Sequence, residues 1–178
     1  MVAAALFVAC GGGSRHAAPG ATSTTSTAAR TEDADLTAAD FHNVNTMTRI
    51  GRHFITNVRG HRAAAVAVAR SKTGGTYPVG TIIQLVPQEA MVKRRAGFSP
   101  ATRDWEFFSL DVSVKGTRIL TRGGDKVLNR FGGSCASCHG AAKAQFDGVC
   151  STDHGCEPLP VGPAVFAALQ KADPRPRT

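Results

Sequence analysis

Five consecutive residues near the C-terminus, Cys135-Ala-Ser-Cys-His139, have the types and spacing needed to hold a prosthetic group. A C-x-x-C-H run is the attachment signature of a c-type haem, in which each thiol forms a thioether with one haem vinyl group. If Ser134 caps a helix here, Cys135 and Cys138 lie on one helix face with His139 beside them. The sequence therefore predicts one covalent haem c, attached at Cys135 and Cys138, with His139 as axial ligand of the iron.

Two further cysteines, Cys150 and Cys156, bracket the short loop Ser-Thr-Asp-His-Gly, and we expect a disulfide between them. Another use of the same side chains stays open. Together with Cys135 and Cys138 they follow a C-x2-C then C-x5-C spacing that is loosely typical of zinc sites. In that alternative the protein is a haem-free zinc-binding domain. A bare C-x-x-C also occurs in redox disulfides.

The fifth cysteine, Cys10, ends an apolar run that starts at Val2, and it is followed by Gly-Gly-Gly-Ser. This pattern resembles the lipobox of bacterial lipoproteins, although it is short and lacks a positively charged start. We therefore expect residues 1–9 to be a signal segment and Cys10 to be lipidated. Residues 10–35 contain little that could form a core, which predicts a disordered tether. Because haem c attachment and disulfides belong outside the bacterial cytoplasm, the expected location is periplasmic, anchored to the inner or outer membrane through lipid.

Residues 36–178 form the predicted domain, in a chain of 178 residues of which 42% are hydrophobic. Lys and Arg outnumber Asp and Glu by 21 to 13, giving a net charge of +8. The longest basic run, Lys93-Arg-Arg95, has no interleaved aromatic residues, so we expect no nucleic-acid partner. A basic surface instead favours association with an acidic redox partner.

The elements that must position the haem motif can be predicted from hydrophobic periodicity. Helices are predicted over residues 37–55, 60–69, 134–146 and 163–171. Strands are predicted over residues 77–86, 88–94, 105–114 and 117–121, the last two joined by a hairpin. This order predicts an α+β fold, a mainly antiparallel β-sheet with flanking helices and a C-terminal haem-attachment helix.

The late position of the haem motif narrows the class of cytochrome. No Met follows His139, whereas ordinary small cytochromes c carry the motif near the start and an axial Met downstream. The sixth coordination position of the iron is therefore filled by a residue upstream of the motif or left open. The upstream candidates, none at a diagnostic spacing, are Met47, Met91, His42, His53 and His61. Predicted strands argue against the four-helix cytochromes c prime, which also carry a late motif.

Four motifs occur in order along the chain: Tyr77-Pro-Val-Gly-Thr81, Glu89-Ala-Met-Val-Lys93, Asp104-Trp-Glu-Phe-Phe108, and the haem motif with Phe146-Asp147 beyond it. In this order they resemble the cytochrome P-460 family and its β-sheet relatives, the cytochromes c prime-beta. The resemblance implies an antiparallel β fold, commonly a homodimer, with His139 proximal and an open or weakly filled distal pocket. Members with a lysine cross-linked to the haem oxidise hydroxylamine. Members without it bind nitric oxide or carbon monoxide and can carry electrons.

The cross-linking lysine of that family is missing here, because Leu85 stands nearest its expected position. Lys93 matches a different motif and is expected to be structural or surface-facing. We therefore expect an unmodified haem with five-coordinate iron that transfers electrons or binds nitric oxide, with oxidation of hydroxylamine or use of peroxide as the alternative. No catalytic residue is assigned. Candidates for the distal wall are Phe54, Trp105, Phe107 and Phe108, and candidate acids or bases, expected to be solvated, are Asp104 and Glu106.

Overall fold

The computed structural model describes Asp33, residues 35–159 and residues 161–177. The predicted signal segment, Cys10 and nearly all of the predicted tether lie outside these residues. The described chain forms a six-stranded antiparallel sheet in which each strand pairs with the next in sequence. The strands are β1 (Thr48–Ile50), β2 (His53–Asn57), β3 (Thr81–Gln84), β4 (Glu89–Lys93), β5 (Trp105–Ser113) and β6 (Gly116–Gly123). The α-helices in this part of the chain are α1 (Arg62–Arg70), α2 (Cys135–Gly140) and α3 (Pro163–Lys171).

This architecture confirms the predicted α+β class with a mainly antiparallel sheet. The predicted helix over residues 60–69 corresponds to α1, the predicted strands correspond to β3 to β6, and the predicted last helix has the bounds of α3. The predicted helix over residues 134–146 is too long. Helix α2 ends at Gly140, and a separate 3-10 turn follows at Ala144–Phe146.

The predicted N-terminal helix over residues 37–55 is wrong. The chain forms 3-10 turns at Ala38–Asp40 and Val44–Thr46 and then the β1–β2 hairpin, which turns at Gly51 in the left-handed region. Tight turns repeat about every three residues, so they imitate the helical spacing of apolar side chains. In β2 both Phe54 and Ile55 are buried, because the sheet is covered on both faces. The alternation that identifies a strand is therefore hidden.

Three rows of side chains cross one face of the sheet, because side chains two residues apart along a strand point to the same side. The pairing of β2 with β3, of β3 with β4 and of β4 with β5, continued where needed by up to two residues beyond the paired residues, shows which side chains lie opposite one another and so defines these rows. The central row is Ile55, Ile83, Met91 and Phe107; the closed row is Asn57, Thr81, Lys93 and Trp105; and the open row is His53, Leu85 and Glu89. The central row is buried and forms the core beneath α1 and α2.

The opposite face of the sheet is covered by the N-terminal segment, where Phe41 packs on Phe108 with ring centroids 4.8 Å apart. Asp33 also belongs to the folded unit, since one of its carboxylate oxygens lies 3.1 Å from Nε of Arg94. This residue falls inside the predicted tether, so the ordered domain begins slightly before residue 36. Among the described residues, no helix combines the length and apolarity needed to cross a membrane.

Glu106 was expected to be solvated and is instead buried. Its carboxylate accepts two hydrogen bonds from Arg122, at 2.7 and 3.0 Å. The side chain of Asp104 accepts a hydrogen bond from the backbone N–H of Ser99 at 2.9 Å, so it stabilises a turn. Neither carboxylate lines the cleft described below.

Candidate functional site

Helix α2 places the predicted attachment residues on the wall of one cleft. Its N-cap is Ser134, whose side chain accepts a hydrogen bond from the backbone N–H of Ser137 at 3.2 Å, as the sequence predicted. Cys135 and Cys138 are both free, half-buried thiols. They line the cleft together with His139, which lies in the last turn of the helix.

The hydrogen bonding of His139 fixes which ring nitrogen is available. Its Nδ1 lies 2.8 Å from the carbonyl oxygen of Gly148. Because a carbonyl can only accept, Nδ1 carries the proton and Nε2 keeps its lone pair. Burial lowers the pKa of His139, and the bond to Gly148 offsets part of that effect. A neutral imidazole oriented by a backbone carbonyl is the usual arrangement of a metal-ligating histidine.

The Gly148 carbonyl is positioned by Asp147, which joins the loop to the closed row. One carboxylate oxygen of Asp147 lies 2.7 Å from Nζ of Lys93, and the other accepts from the N–H of Tyr77 at 2.9 Å. The backbone carbonyl of Asp147 accepts from the indole N–H of Trp105. Lys93 is therefore buried and structural rather than surface-facing.

Gly148 itself is in the left-handed region, with φ of 79°. A Cβ at this position would lie 3.4 Å from Cδ1 of Trp105, which is an ordinary contact distance. Glycine is therefore favoured by the backbone conformation, because a side chain in this region of φ is strained. The residue before it, Asp147, is fixed by the indole N–H of Trp105 as well as by Lys93.

The segment after Gly148 is closed by a disulfide. The sulfurs of Cys150 and Cys156 are 2.07 Å apart, as expected for the bond predicted across this loop. Within the loop, Nδ1 of His154 lies 2.6 Å from the carbonyl of Val149, and the imidazole stacks on Phe146 with centroids 3.6 Å apart. His154 had no predicted role, since nothing in its spacing indicates a contact with residue 146.

The four cysteines do not form a common metal site in this structure, because two of them are bonded to each other. Among the described residues, no group of three or more His, Cys, Asp or Glu side chains is arranged to hold a metal ion. Burial, and to a lesser degree the charge of Glu89, raises the pKa of Cys135 to about 12. Reactive redox thiols have lowered pKa values, so this environment does not favour thiol–disulfide chemistry.

The cleft beside His139 is mainly apolar and open to solvent, with a cavity volume of about 100 Å³. Binding clefts for small organic molecules have a few polar groups among apolar walls. The apolar walls are Ile83, Leu85, Met91, Phe107, Phe131, Val149, Leu159 and Phe166, and the polar residues are Arg52, His53, Glu89, Asn129 and Glu157.

Only part of the predicted distal set lies in this cleft. Of the sixth-ligand candidates, His53 and Met91 line it, whereas Met47, His42 and His61 are not among its lining residues. Of the aromatic candidates, Phe107 lines it, with its ring centroid 5.1 Å from that of His139. The other candidates lie elsewhere: Trp105 lies against Asp147, and Phe54 and Phe108 face the opposite side of the sheet.

Burial shifts the pKa values of the two titratable residues of the open row, His53 and Glu89, in opposite directions. Burial, together with the nearby charges of Arg52, His139 and His154, lowers the pKa of His53 to about 3. Burial also raises the pKa of Glu89, although the backbone N–H of Arg130 donates to its carboxylate at 2.7 Å and opposes the shift. Both effects favour the uncharged form.

A scan against protein-family models and searches of the curated proteins and of the solved structures found no significant match. The resemblance to the cytochrome P-460 family therefore depends on the four sequence motifs alone. A fold does not by itself determine a function, which depends on the residues of the site.

Proposed function

We propose that the protein is a monohaem c-type cytochrome, with Cys135 and Cys138 as the thioether residues and His139 as the axial ligand. One observation carries the proposal. The Nδ1 of His139 is bonded to the Gly148 carbonyl, while two free thiols lie on the same short helix and line the same cleft. This is the side-chain arrangement that covalent haem attachment and histidine ligation require.

The residues present fit a haem in chemistry as well as in position. Cys135 and Cys138 are reduced, and thioether formation requires thiols. The walls of the cleft are largely hydrocarbon and aromatic, which suits a flat apolar macrocycle. When bound, the haem supplies an iron that can change oxidation state and bind small molecules. The Gly148 carbonyl holds the proton at Nδ1 of His139, which makes Nε2 a better electron donor.

We further propose that the haem is unmodified and that its sixth position is open to nitric oxide. Leu85 lines the cleft, and its hydrocarbon side chain has no amine for a cross-link. The open mouth of the cleft gives small neutral molecules access. One-electron exchange with an acidic partner is the accompanying activity, supported by the net charge of +8.

The proposed location is the periplasm, with Cys10 as the lipid anchor. The disulfide between Cys150 and Cys156 supports an oxidising compartment, since such bonds are rare in the cytoplasm. A homodimer remains part of the proposal through the family resemblance.

A second candidate function, oxidation of hydroxylamine or use of peroxide, is favoured by the open row. His53 and Glu89 both line the cleft and could exchange protons with a bound substrate. Substrate-dependent reduction of the haem by hydroxylamine, lost in Glu89→Gln, would support this activity. No reduction above that seen with free haem would exclude it.

An optical spectrum tests the main proposal. Protein produced with a c-haem assembly system should show a sharp reduced α band typical of c cytochromes. His139→Ala should change the spectrum while leaving the haem attached, and Ser137→Ala, an exposed position on the same helix, should change nothing. A red-shifted, broadened band would indicate a cross-link and refute the assignment of Leu85. A colourless product that contains zinc would refute haem binding altogether.

A further inference from the structure

The open row brings one histidine into the cleft that the α2 residues also line. Extension of the β2–β3 register places His53 opposite Leu85, and extension of the β3–β4 register places Leu85 opposite Glu89. These side chains share a sheet face with Met91 and Phe107, and all five line the cleft. His53 is therefore held on a rigid strand within the same cleft as His139.

The imidazole of His53 has no hydrogen-bond partner among residues 35–159 and 161–177. Its position differs in this respect from those of the two other histidines near the cleft, since His139 and His154 each bond a backbone carbonyl. His53 is half-buried, and its ring nitrogens are not among the buried side-chain atoms that lack a hydrogen-bond partner. The nitrogens therefore reach the open space of the cleft, and a ring N–H that no described residue accepts is free to contact a molecule bound there.

The neighbours of His53 are less suited to contact a small polar molecule. Leu85 has no polar atom. Met91 is 5% exposed and packs in the core of the central row. The Glu89 carboxylate already accepts a hydrogen bond from Arg130. The imidazole of His53 offers an N–H donor that no described residue accepts.

We propose that His53 is the distal residue that selects the ligand, donating its N–H to a small polar molecule bound in the cleft. This inference depends on the proposed function, because it assigns the ligand class of the same site. The expected ligands are neutral diatomic molecules whose outer atom gains negative charge on binding. Distal hydrogen-bond donors decide among binding, activation and electron transfer at haem iron. Nitric oxide is therefore retained more strongly than a distal apolar wall alone would allow.

Carbon monoxide is the probe that reports the hydrogen bond directly. A donor beside the oxygen of bound carbon monoxide lowers its stretching frequency, so His53→Leu should raise that frequency. His53→Gln keeps an N–H and should return the frequency toward the wild-type value. His61→Leu, which removes an exposed histidine outside the cleft, should leave it unchanged.

Nitric oxide dissociation gives the corresponding functional measurement. A neutral hydrogen bond changes such an equilibrium by about 2- to 10-fold. His53→Leu should therefore release nitric oxide faster by about that factor, and His53→Gln by less. The haem content of every variant is measured in parallel from its spectrum in alkaline pyridine. If His53→Leu fails to fold, His53→Gln and the wild-type frequency still decide the question, since an apolar-pocket frequency in both refutes the donor.

Two results would overturn the role of His53. One is an unchanged carbon monoxide frequency in fully haem-loaded His53→Leu. The other is a low-spin, six-coordinate wild-type iron that becomes high-spin in His53→Leu, because His53 would then be an iron ligand and not a donor. Wild-type protein that takes up no haem would instead refute the proposed function itself.

Discussion

The closed row and the open row, at the two ends of one sheet face, differ in how their polar side chains are hydrogen-bonded. In the closed row, Lys93 bonds both Asp147 and the carbonyl of Arg103, and the indole N–H of Trp105 is also bonded to Asp147. In the open row, His53 has no hydrogen-bond partner among the described residues. The first end fixes the acceptor for His139, and the second leaves a polar group for a ligand.

The difference shows how one scaffold serves both rigidity and binding. Burying a polar group costs free energy unless it is hydrogen-bonded, so a saturated network has one favoured geometry. The closed row achieves this around Asp147. In the open row, the imidazole of His53 lines the cleft without a hydrogen-bond partner among the described residues, so its N–H can be donated to a ligand.

Breaking the closed row should give the largest effect on stability. Lys93→Met leaves the buried Asp147 carboxylate without its cation, and removal of one member of a buried ion pair costs about 3–5 kcal/mol. Urea unfolding measures this loss. The double variant Lys93→Met/Asp147→Asn should recover much of it, because no buried charge remains. A single-variant loss below about 1 kcal/mol would show that the network is not the anchor proposed here.

Opening the disulfide should have the next largest effect. For the short loop between Cys150 and Cys156, the chain-entropy treatment gives about 2 kcal/mol. The variant Cys150→Ser/Cys156→Ser should lose about this amount in urea and still bind haem, because Asp147 continues to hold Gly148. Wild-type protein in strong reductant should reach the same midpoint as the variant. Haem loss from the variant would mean that the disulfide, rather than the closed row, positions the acceptor.

Gly148→Ala tests the acceptor itself. The left-handed φ at this position should cost about 1–2 kcal/mol for a residue with a Cβ. Gly140→Ala is the matched control, since nothing lies within 4 Å of its added Cβ and alanine favours helix by up to about 1 kcal/mol. Thermal or urea unfolding of both variants measures the difference. Equal stability of the two would argue against strain at residue 148.

The smallest effect is expected in the open row. Burial raises the pKa of Glu89, so its charged form is less stable in the folded protein than in the unfolded chain. Its stabilising contribution is present at low pH and is lost as the pH rises through the folded pKa. Glu89→Gln should therefore be more stable than wild type near about pH 7, with the gap shrinking toward about pH 4. A gap that widens in acid would reverse the assigned sign.

The local features of this protein could be predicted from the sequence because their causes are local. Ser134 caps the turn that contains Cys135 and Cys138, and the members of the disulfide pair are six positions apart in the sequence. The segment over residues 37–55 was mispredicted because tight turns and doubly buried strands hide the strand alternation. Within residues 37–55, no sequence pattern indicates which strands will be neighbours in the sheet.

The supporting contacts of the site could not be predicted, since they join distant parts of the chain. Lys93 and Asp147 are 54 residues apart, and His53 reaches the cleft only through the pairing of β2 with β3. The sequence identified His53 as one of five sixth-ligand candidates. Of that set, only His53 and Met91 line the cleft in the structure, and Met91 is buried in the central row, so His53 is the one placed to contact a bound molecule.

Covalent attachment at Cys135 and Cys138 is the claim on which the other assignments depend. Intact mass spectrometry under denaturing conditions tests it most directly, using protein exported from cells that assemble c-type haem. We expect a mass increased by one haem, with the increase absent from Cys135→Ser/Cys138→Ser and present in Cys150→Ser/Cys156→Ser. An unmodified polypeptide mass in such cells, with both thiols free, would contradict it.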